Sequence, residues 1–272
     1  MKILKFTLSG RTAFFKKPDV NTYLYFTYGN IHKVALLGIF GAILGYSGYN
    51  TMKLKEELNK SKKKNNEKKI FPEFYEKLKD IKLSIVPRAN KGFIPKKIQS
   101  FNNSVGYASK ELGGNLIVKE QWLENPSWDI YVLMDNEEIE KLAKYILNNK
   151  SIYSPYLGKN DHNADIIDSE IIDGIEITDT NSINSISCLF KKNDFNISVF
   201  DDEDEEDYDD EVDYKKEEEK DDLFKYEEKL PIALNKDTNM YELDTFIFTN
   251  MDVKLLNDLN VYNIQNKNIV FY

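Results

Sequence analysis

The sequence is poor in the residues that build covalent or metal frameworks. It has one cysteine, Cys188, among 272 residues. That excludes a disulfide framework and a cysteine-clustered zinc site, and it fits a reducing cytoplasm, where the chain is expected. Only two histidines occur, His32 and His162, so a histidine-based metal site would need carboxylates to complete its shell. Twelve glycines and seven prolines exclude collagen-like and Pro/Gly-rich low-complexity chains. A hydrophobic content of 41% with 13% aromatic residues excludes a wholly disordered chain. No fixed-period repeat points to a solenoid or propeller. A phosphate-cradling loop is also missing: Gly38, Gly41 and Gly45 lie within an apolar run with no following Lys-Ser/Thr pair, so nucleotide hydrolysis and a bound cofactor are not expected.

Long hydrophobic runs are lacking too. The longest extends from Val34 to Tyr46, which as a helix spans roughly 20 Å against a bilayer core of about 30 Å, so no membrane contact is expected. It starts too far from Met1 to read as a signal peptide. A buried helix is the simpler reading, with its three glycines on one face where another backbone can approach closely. Each glycine costs about 1 kcal/mol relative to Ala, so tertiary packing must hold the segment.

The formal net charge of −9 conceals a strong asymmetry. Residues 201–228 carry 18 Asp/Glu against 4 Lys, whereas residues 1–110 carry 22 Lys/Arg against 7 Asp/Glu. The basic half has the electrostatic footprint of a phosphate binder. The acidic block reads as a solvated, disordered loop, with divalent-cation binding or nucleic-acid mimicry as alternatives.

Alternation puts Leu4, Phe6 and Leu8 on one face of a first strand, residues 2–8. A long loop, 9–30, follows, rich in aromatic and basic residues. The apolar helix comes next, and then a lysine-rich stretch, 53–69, that reads as a surface segment or a helix extended into solvent. A second strand is expected at 81–86, stopped by Pro87. From Arg88 to Lys119 the chain reads as basic and irregular. Residues 128–134 suit a buried central strand. They lead into an amphipathic helix, with Asp135 and Glu138 as a capping box and Ile139, Leu142, Ala143, Ile146 and Leu147 as its stripe. Further strand patterns fall at 166–177, 183–190, 195–200, 241–248 and 269–272. The order predicts an α+β, ferredoxin-like (RNA-recognition-type) βαββαβ domain over 1–180 with an insertion at about 87–119. A β-rich C-terminal region, 181–272, would carry the acidic loop of about 201–228.

Two chemistries are open at the histidines. Asp161-His162-Asn163-Ala164-Asp165 could offer three metal ligands or be a polar loop. His32, beside Lys33 and near Tyr28, could be a general base acting on an RNA 2′-hydroxyl or could cap and pack the helix. The stronger signal is cations interleaved with aromatics, since single-stranded nucleic acid is held by phosphate contacts and by stacking at about 1–3 kcal/mol per base. Two segments have it: Arg11 to Tyr28, with Phe14, Phe15, Lys16 and Lys17, and Arg88 to Lys119, with Lys91, Phe93, Lys96, Lys97, Phe101, Tyr107 and Lys110. An ordinary lysine-rich surface is the plain alternative.

The blocks Leu8-Ser9-Gly10-Arg11-Thr12-Ala13-Phe14-Phe15-Lys16-Lys17-Pro18 and His32-Lys33-Val34-Ala35-Leu36-Leu37-Gly38-Ile39-Phe40-Gly41-Ala42-Ile43-Leu44-Gly45 closely resemble the CRISPR-associated protein 5 family. Residues 120–132 and Pro155-Tyr156-Leu157-Gly158-Lys159 agree, and look most like its subtype I-B branch. The resemblance covers residues 2 to about 165. It implies a type I Cascade subunit that grips the 5′ handle of the CRISPR RNA and caps the backbone filament, in antiviral defence. It further implies a projecting thumb at the place of the basic insertion, and contacts with a backbone subunit and with the large subunit. One branch of the family cuts precursor RNA itself. With no Lys-His pair in the thumb region, a non-catalytic RNA binder without metal is expected here, and a metal-independent repeat endoribonuclease using His32, Tyr28 and Lys33 is the alternative. In a third reading the subunit is a structural bridge whose lysines serve solubility.

Overall fold

A computed structural model describes residues 1–19, 23–61, 71–102, 106, 110, 112, 117–179, 183–198 and 222–272. In chain order its first elements are β1 (Lys2–Ser9), β2 (Thr12–Ala13), α1 (Lys33–Leu44), α2 (Tyr49–Ser61), α3 (Glu73–Leu78) and β3 (Leu83–Pro87). There follow β4 (Lys96–Asn102), β5 (Ile117–Glu124), β6 (Ser127–Leu133), α4 (Glu137–Leu147) and β7 (Asp165–Asp173). The whole is a mixed α/β structure with several antiparallel sheets and few helices.

The central sheet has the order β3-β6-β1-β7, every pair antiparallel. Alternation in β1 sends Leu4, Phe6 and Leu8 to one face, in register with Val132, Ile130 and Trp128 of β6, and α1 and α4 cover that face. Phe6 meets Phe40 of α1 edge-on with ring centroids 6.2 Å apart. Each such side chain, fully buried, contributes about 1.5–3 kcal/mol of transfer free energy.

Both covering helices are capped by side chains that accept backbone N–H groups otherwise left without partners. Asn136, rather than the expected Asp135, caps α4 by accepting the Ile139 N–H at 3.1 Å. Glu138 accepts the Tyr46 hydroxyl, tying α4 to the end of α1. The apolar stripe of α4 is buried from Ile139 to Ile146, whereas Leu147 is 38% exposed, since the helix ends there and turns out of the core. The three glycines of α1 differ in use. Gly41 lies so near α3 that an added Cβ would come within 2.5 Å of Phe74 Cβ, and Gly45 ends the helix at φ +78°. Gly38 faces open space. The axes of α1 and α2 diverge by 82°, and among the described residues no single helix is long and apolar enough to cross a membrane.

The opposite face of the sheet, with Ile3, Val86 and Tyr131, is buried under the C-terminal region. That region comprises β8 (Ile175–Glu176), β9 (Phe190–Lys191), β10 (Phe195–Ile197), β11 (Lys225–Leu234), β12 (Tyr241–Thr249), β13 (Val253–Leu255), β14 (Val261–Ile264) and β15 (Lys267–Val270). These form the sheets β11-β12-β9 and β15-β14-β8 and the pair β10-β13. Leu230, Leu234 and Phe246 reach the core on the helical side, so residues beyond 181 pack on both faces of the first unit. The expected strand 183–190 is confined to its last residue. Ile183, Ile186, Cys188 and Leu189 are buried in chain without regular secondary structure, and their segment bonds to separate neighbours, Ser187 N–H to Asn268 O and Leu189 N–H to Ile85 O, instead of one ladder. Of the acidic block, 201–221 lies outside the described residues. Its end is not a loop, because residues 225–228 begin β11, where Glu227 pairs with Lys192 at 2.9 Å and with Lys225 at 3.0 Å.

The basic insertion between β3 and β6 is likewise more regular than its composition predicts. A 3-10 turn at Asn90–Gly92 leads into β4, which pairs with β5 from Lys96↔Leu123 to Asn102↔Ile117, and β2 completes the sheet β2-β5-β4. The strand was hidden because β4 alternates between exposed Lys96, Ile98, Ser100 and Asn102 and half-buried Lys97, Gln99 and Phe101, with no apolar face to mark it.

Candidate nucleic-acid interface

The segment Phe14–Tyr28 folds back on itself at the root of the β4–β5 hairpin. Lys17 N–H bonds Phe26 O and Tyr28 N–H bonds Phe15 O. Tyr25 N–H bonds Lys119 O, and Gln121 N–H returns to Tyr25 O, stitching the segment to β5. Asn30, fully buried, accepts the Trp128 indole N–H at 2.9 Å and donates to Gly92 O, linking the central sheet to the start of the hairpin. The described parts of both segments singled out for cations and aromatics are therefore brought together at the root of the hairpin.

Within that surface the cations differ in how far they are engaged. Lys17 pairs with Glu228 at 3.2 Å, Lys91 with Asp222 at 3.4 Å, Lys97 with Glu124 at 3.3 Å and Arg88 with Asp129 at 3.1 Å. Arg88 also donates to Thr7 Oγ1, which holds its guanidinium on the sheet. Lys16 lies 3.8 Å from the centre of the Tyr25 ring, a cation–π contact that leaves its charge unneutralised. Arg11 and Lys110 are exposed, with no ion pair among the described residues. The ammonium of Lys96 is held below its ordinary value, chiefly because its end is desolvated and also because Lys17 is close, with Glu228 opposing both.

The aromatic assignments change. Phe14 and Phe15 are 4% and 3% exposed, so neither ring is available for a base. Phe15 packs between Trp128 and His32, with centroids 6.0 Å from each, and Phe14 N–H is held by Leu157 O. Gly158, at φ +86°, sits so close that an added Cβ would come within 2.0 Å of Phe14 O, which seals the segment against the 155–159 loop. Tyr107 lies outside the described residues. Among the described residues of the insertion, Phe93 is the most exposed ring, at 60%.

Of the cluster considered for cleavage, His32 and Tyr28 are brought together, with ring centroids 5.3 Å apart, whereas Lys33 points away. His32 is 3% exposed and caps α1, with Nδ1 accepting the Ala35 N–H at 3.2 Å. Its ring is surrounded by Tyr28, Tyr241 and Phe15, and burial drives its pKa down to about 3. Tyr28 is buried and pushed up to about 12, mainly by desolvation. Lys33 turns elsewhere and donates to Tyr272 O, with burial, aided by Lys191, lowering it to about 8. The pentad around His162 is also turned to packing. His162 is 1% exposed, its Nδ1 lies 2.7 Å from Thr12 Oγ1 and its ring meets Trp122 at 4.6 Å, while Asp161 pairs with Lys159. Among the described residues no group of His, Cys, Asp and Glu is arranged to hold a metal.

Sequence reasoning missed Lys159. Its ammonium lies 4.9 Å from the Phe101 ring of β4 and pairs with the buried carboxylate of Glu120 at 3.2 Å, bracing the hairpin against the 155–159 loop. The signal was its place beside Tyr156 in the block Pro155–Lys159, where the spacing of a lone lysine conveys nothing of a partner in another element.

No protein-family model matches the chain, and no curated protein matches it. Solved structures that it resembles include CRISPR-associated proteins. One, a chain of a "CRISPR RNA-guided surveillance complex", has 10% identity and a TM-score of 0.48, covering 93% of this chain and 91% of that one. A CRISPR protein from Archaeoglobus fulgidus has 9% identity and a TM-score of 0.44 over 100% of this chain and 99% of its own.

Proposed function

We propose that this chain is a non-catalytic, single-stranded RNA-binding subunit of a type I CRISPR surveillance complex of the CRISPR-associated protein 5 kind, most like the subtype I-B branch. The observation that carries the reading is the β4–β5 hairpin, which rises between β3 and β6 and gathers Lys96, Lys97, Lys16, Lys17 and Arg11 around its root. Of the sequence blocks that resemble the family, residues 8–18 include β2 and residues 120–132 include the end of β5, both in the sheet that carries this hairpin. The strand order β3-β6-β1-β7, with α1 and α4 as crossovers, is the arrangement a ferredoxin-like βαββαβ unit requires, and it supports that finer assignment.

RNA phosphates would first meet the uncommitted cations, Arg11, Lys16 and Lys96. Lys17, Lys91 and Lys97 would have to exchange a carboxylate for a phosphate, so each contributes less. Exposed Phe93 offers a stacking face. In the complex the 5′ handle of the CRISPR RNA is the ligand, and the backbone and large subunits are the protein partners. Cleavage is disfavoured by hydrogen bonding: because His32 Nδ1 accepts the Ala35 N–H, the neutral ring carries its proton on Nε2 and has no lone pair left to take one from a 2′-hydroxyl.

The test is retardation of a labelled CRISPR repeat RNA by the full chain across a salt series, with strand length followed in parallel. Intact, retarded RNA whose retention fades with salt supports the reading. Shortened RNA that depends on His32 would make the chain a processing enzyme, and unretarded RNA would leave the structural bridge.

A further inference from the structure

A cavity of about 730 Å³ runs along α1, between the helix and the 153–158 segment, and passes under Tyr241 of β12. Its walls are tyrosine-rich: Tyr49, Tyr153, Tyr156 and Tyr241 line it and are 39%, 58%, 45% and 38% exposed. Among the described residues no carboxylate lines it and one cation, Lys16, does, in a chain of net charge −9. Gly38 forms part of the wall, and an added Cβ there would meet nothing within 4 Å, so the groove reaches down to the helix backbone. Beside it lies His32, whose Nδ1 is committed to the cap of α1. The neutral tautomer therefore presents an Nε2–H donor that has no partner among the described residues.

We propose that this groove receives an unstacked base of single-stranded RNA, held between tyrosine faces with the Nε2–H of His32 as donor and its phosphate toward Lys16. The inference rests on the RNA-binding reading above and names where one nucleotide of that ligand goes. Three features favour a nucleotide over an apolar peptide. Tyrosine faces stack on any base. The lining has a cation and no acid. The groove is continuous with the basic surface through Lys16, which neighbours Tyr25 and hence the hairpin. The volume also falls in the range of small-ligand sites, about 300–1,000 Å³.

The experiment measures binding of the full chain to a labelled single-stranded RNA octamer and to a series of octamers in which one nucleotide at a time is abasic. It compares the natural chain with Gly38→Leu, which fills the groove where there is room for a side chain, and Tyr156→Ala, which trims an exposed wall. Melting curves check that both variants fold. Gly38→Leu is expected to weaken binding about tenfold, the worth of one base–aromatic stack. One abasic position should cost a similar factor, and the variant with that strand should lose no more than either alone. Unchanged affinity in both variants and in every abasic strand, with the natural chain still binding RNA, overturns the groove and leaves RNA binding standing. If Gly38→Leu instead loses a co-purifying protein subunit while RNA affinity holds, the occupant is a peptide and the proposal fails. If the natural chain binds no RNA, both readings fall together.

Discussion

The Glu228 carboxylate holds the Lys17 ammonium at 3.2 Å and accepts the Gly29 N–H at 2.9 Å, so one acidic side chain of β11 both neutralises a cation of the basic surface and satisfies backbone at its root. Tyr226 donates to the same carboxylate at 2.6 Å. These two roles separate by substitution. Glu228→Gln keeps an acceptor for Gly29 while releasing Lys17, and is expected to raise RNA affinity several-fold with little change in melting temperature. Glu228→Ala strands the Gly29 N–H and the Tyr226 hydroxyl, at a cost of about 1–3 kcal/mol in urea unfolding. A Gln variant that binds RNA no better would show that Lys17 takes no part.

Acid should loosen the fold before its carboxylates titrate. His32 is pushed from 6.5 to about 3 by burial, and His162 is also lowered, chiefly by burial. Between pH 6.5 and 3 these histidines therefore bind more protons in the unfolded chain than in the folded one, so the stability they govern is complete above about pH 6.5 and falls as pH decreases. A tenfold difference in proton affinity between the folded and unfolded chain is worth about 1.4 kcal/mol. Glu73, Glu170 and Glu227, lowered by hydrogen bonds from Ser47, Lys5 and Lys192 respectively, add their own loss only below about 4.5. Urea titrations at pH 7.5 and 5 should differ by more than about 1 kcal/mol, and His32→Asn, which keeps a capping oxygen, should flatten that difference. Equal stability at both pH values in the natural chain would contradict the buried, neutral His32.

Four glycines separate packing from open space. Gly38→Ala, in a helix interior with room for a methyl, should stabilise by up to about 1 kcal/mol. Gly41→Ala drives a Cβ into Phe74, and Gly158→Ala meets Phe14 O at a positive φ; both should destabilise by more than about 2 kcal/mol. Gly45→Ala, left-handed and against Ile152, falls between. Thermal melts rank the four, and a Gly38→Ala chain less stable than Gly41→Ala would mean that α1 packs differently.

The sequence made β1, α1, β6 and α4 legible because each has a strong period and a buried face: Leu4-Phe6-Leu8 reads as a strand and Ile139-Leu142-Ala143-Ile146 as a helix without further help. It also singled out Arg11, Lys16, Lys17, Lys96 and Lys97, which the fold brings near the root of one hairpin. It misjudged residues whose fate depends on a distant element. Phe14 and Phe15 sit beside Lys16 and Lys17 in the chain, as stacking rings would, yet the 155–159 loop, Trp128 and His32 take them into the core. No local pattern tells that Lys17 meets Glu228 or that Lys91 meets Asp222, since these carboxylates arrive with β11 from the far end of the chain. The tyrosine groove was invisible for the same reason: Tyr49, Tyr153 and Tyr241 come from three separate segments.

The most direct measurement is the salt dependence of binding between the full chain and single-stranded repeat RNA, for the natural sequence and for Lys96→Glu/Lys97→Glu. A hairpin that meets phosphates predicts a linear fall of log affinity with log salt, at about 0.7 per phosphate contact, and a shallower slope with at least about tenfold weaker binding in the double variant. Identical slopes and affinities for the two chains would contradict the account, since the β4–β5 hairpin would then take no part in holding RNA.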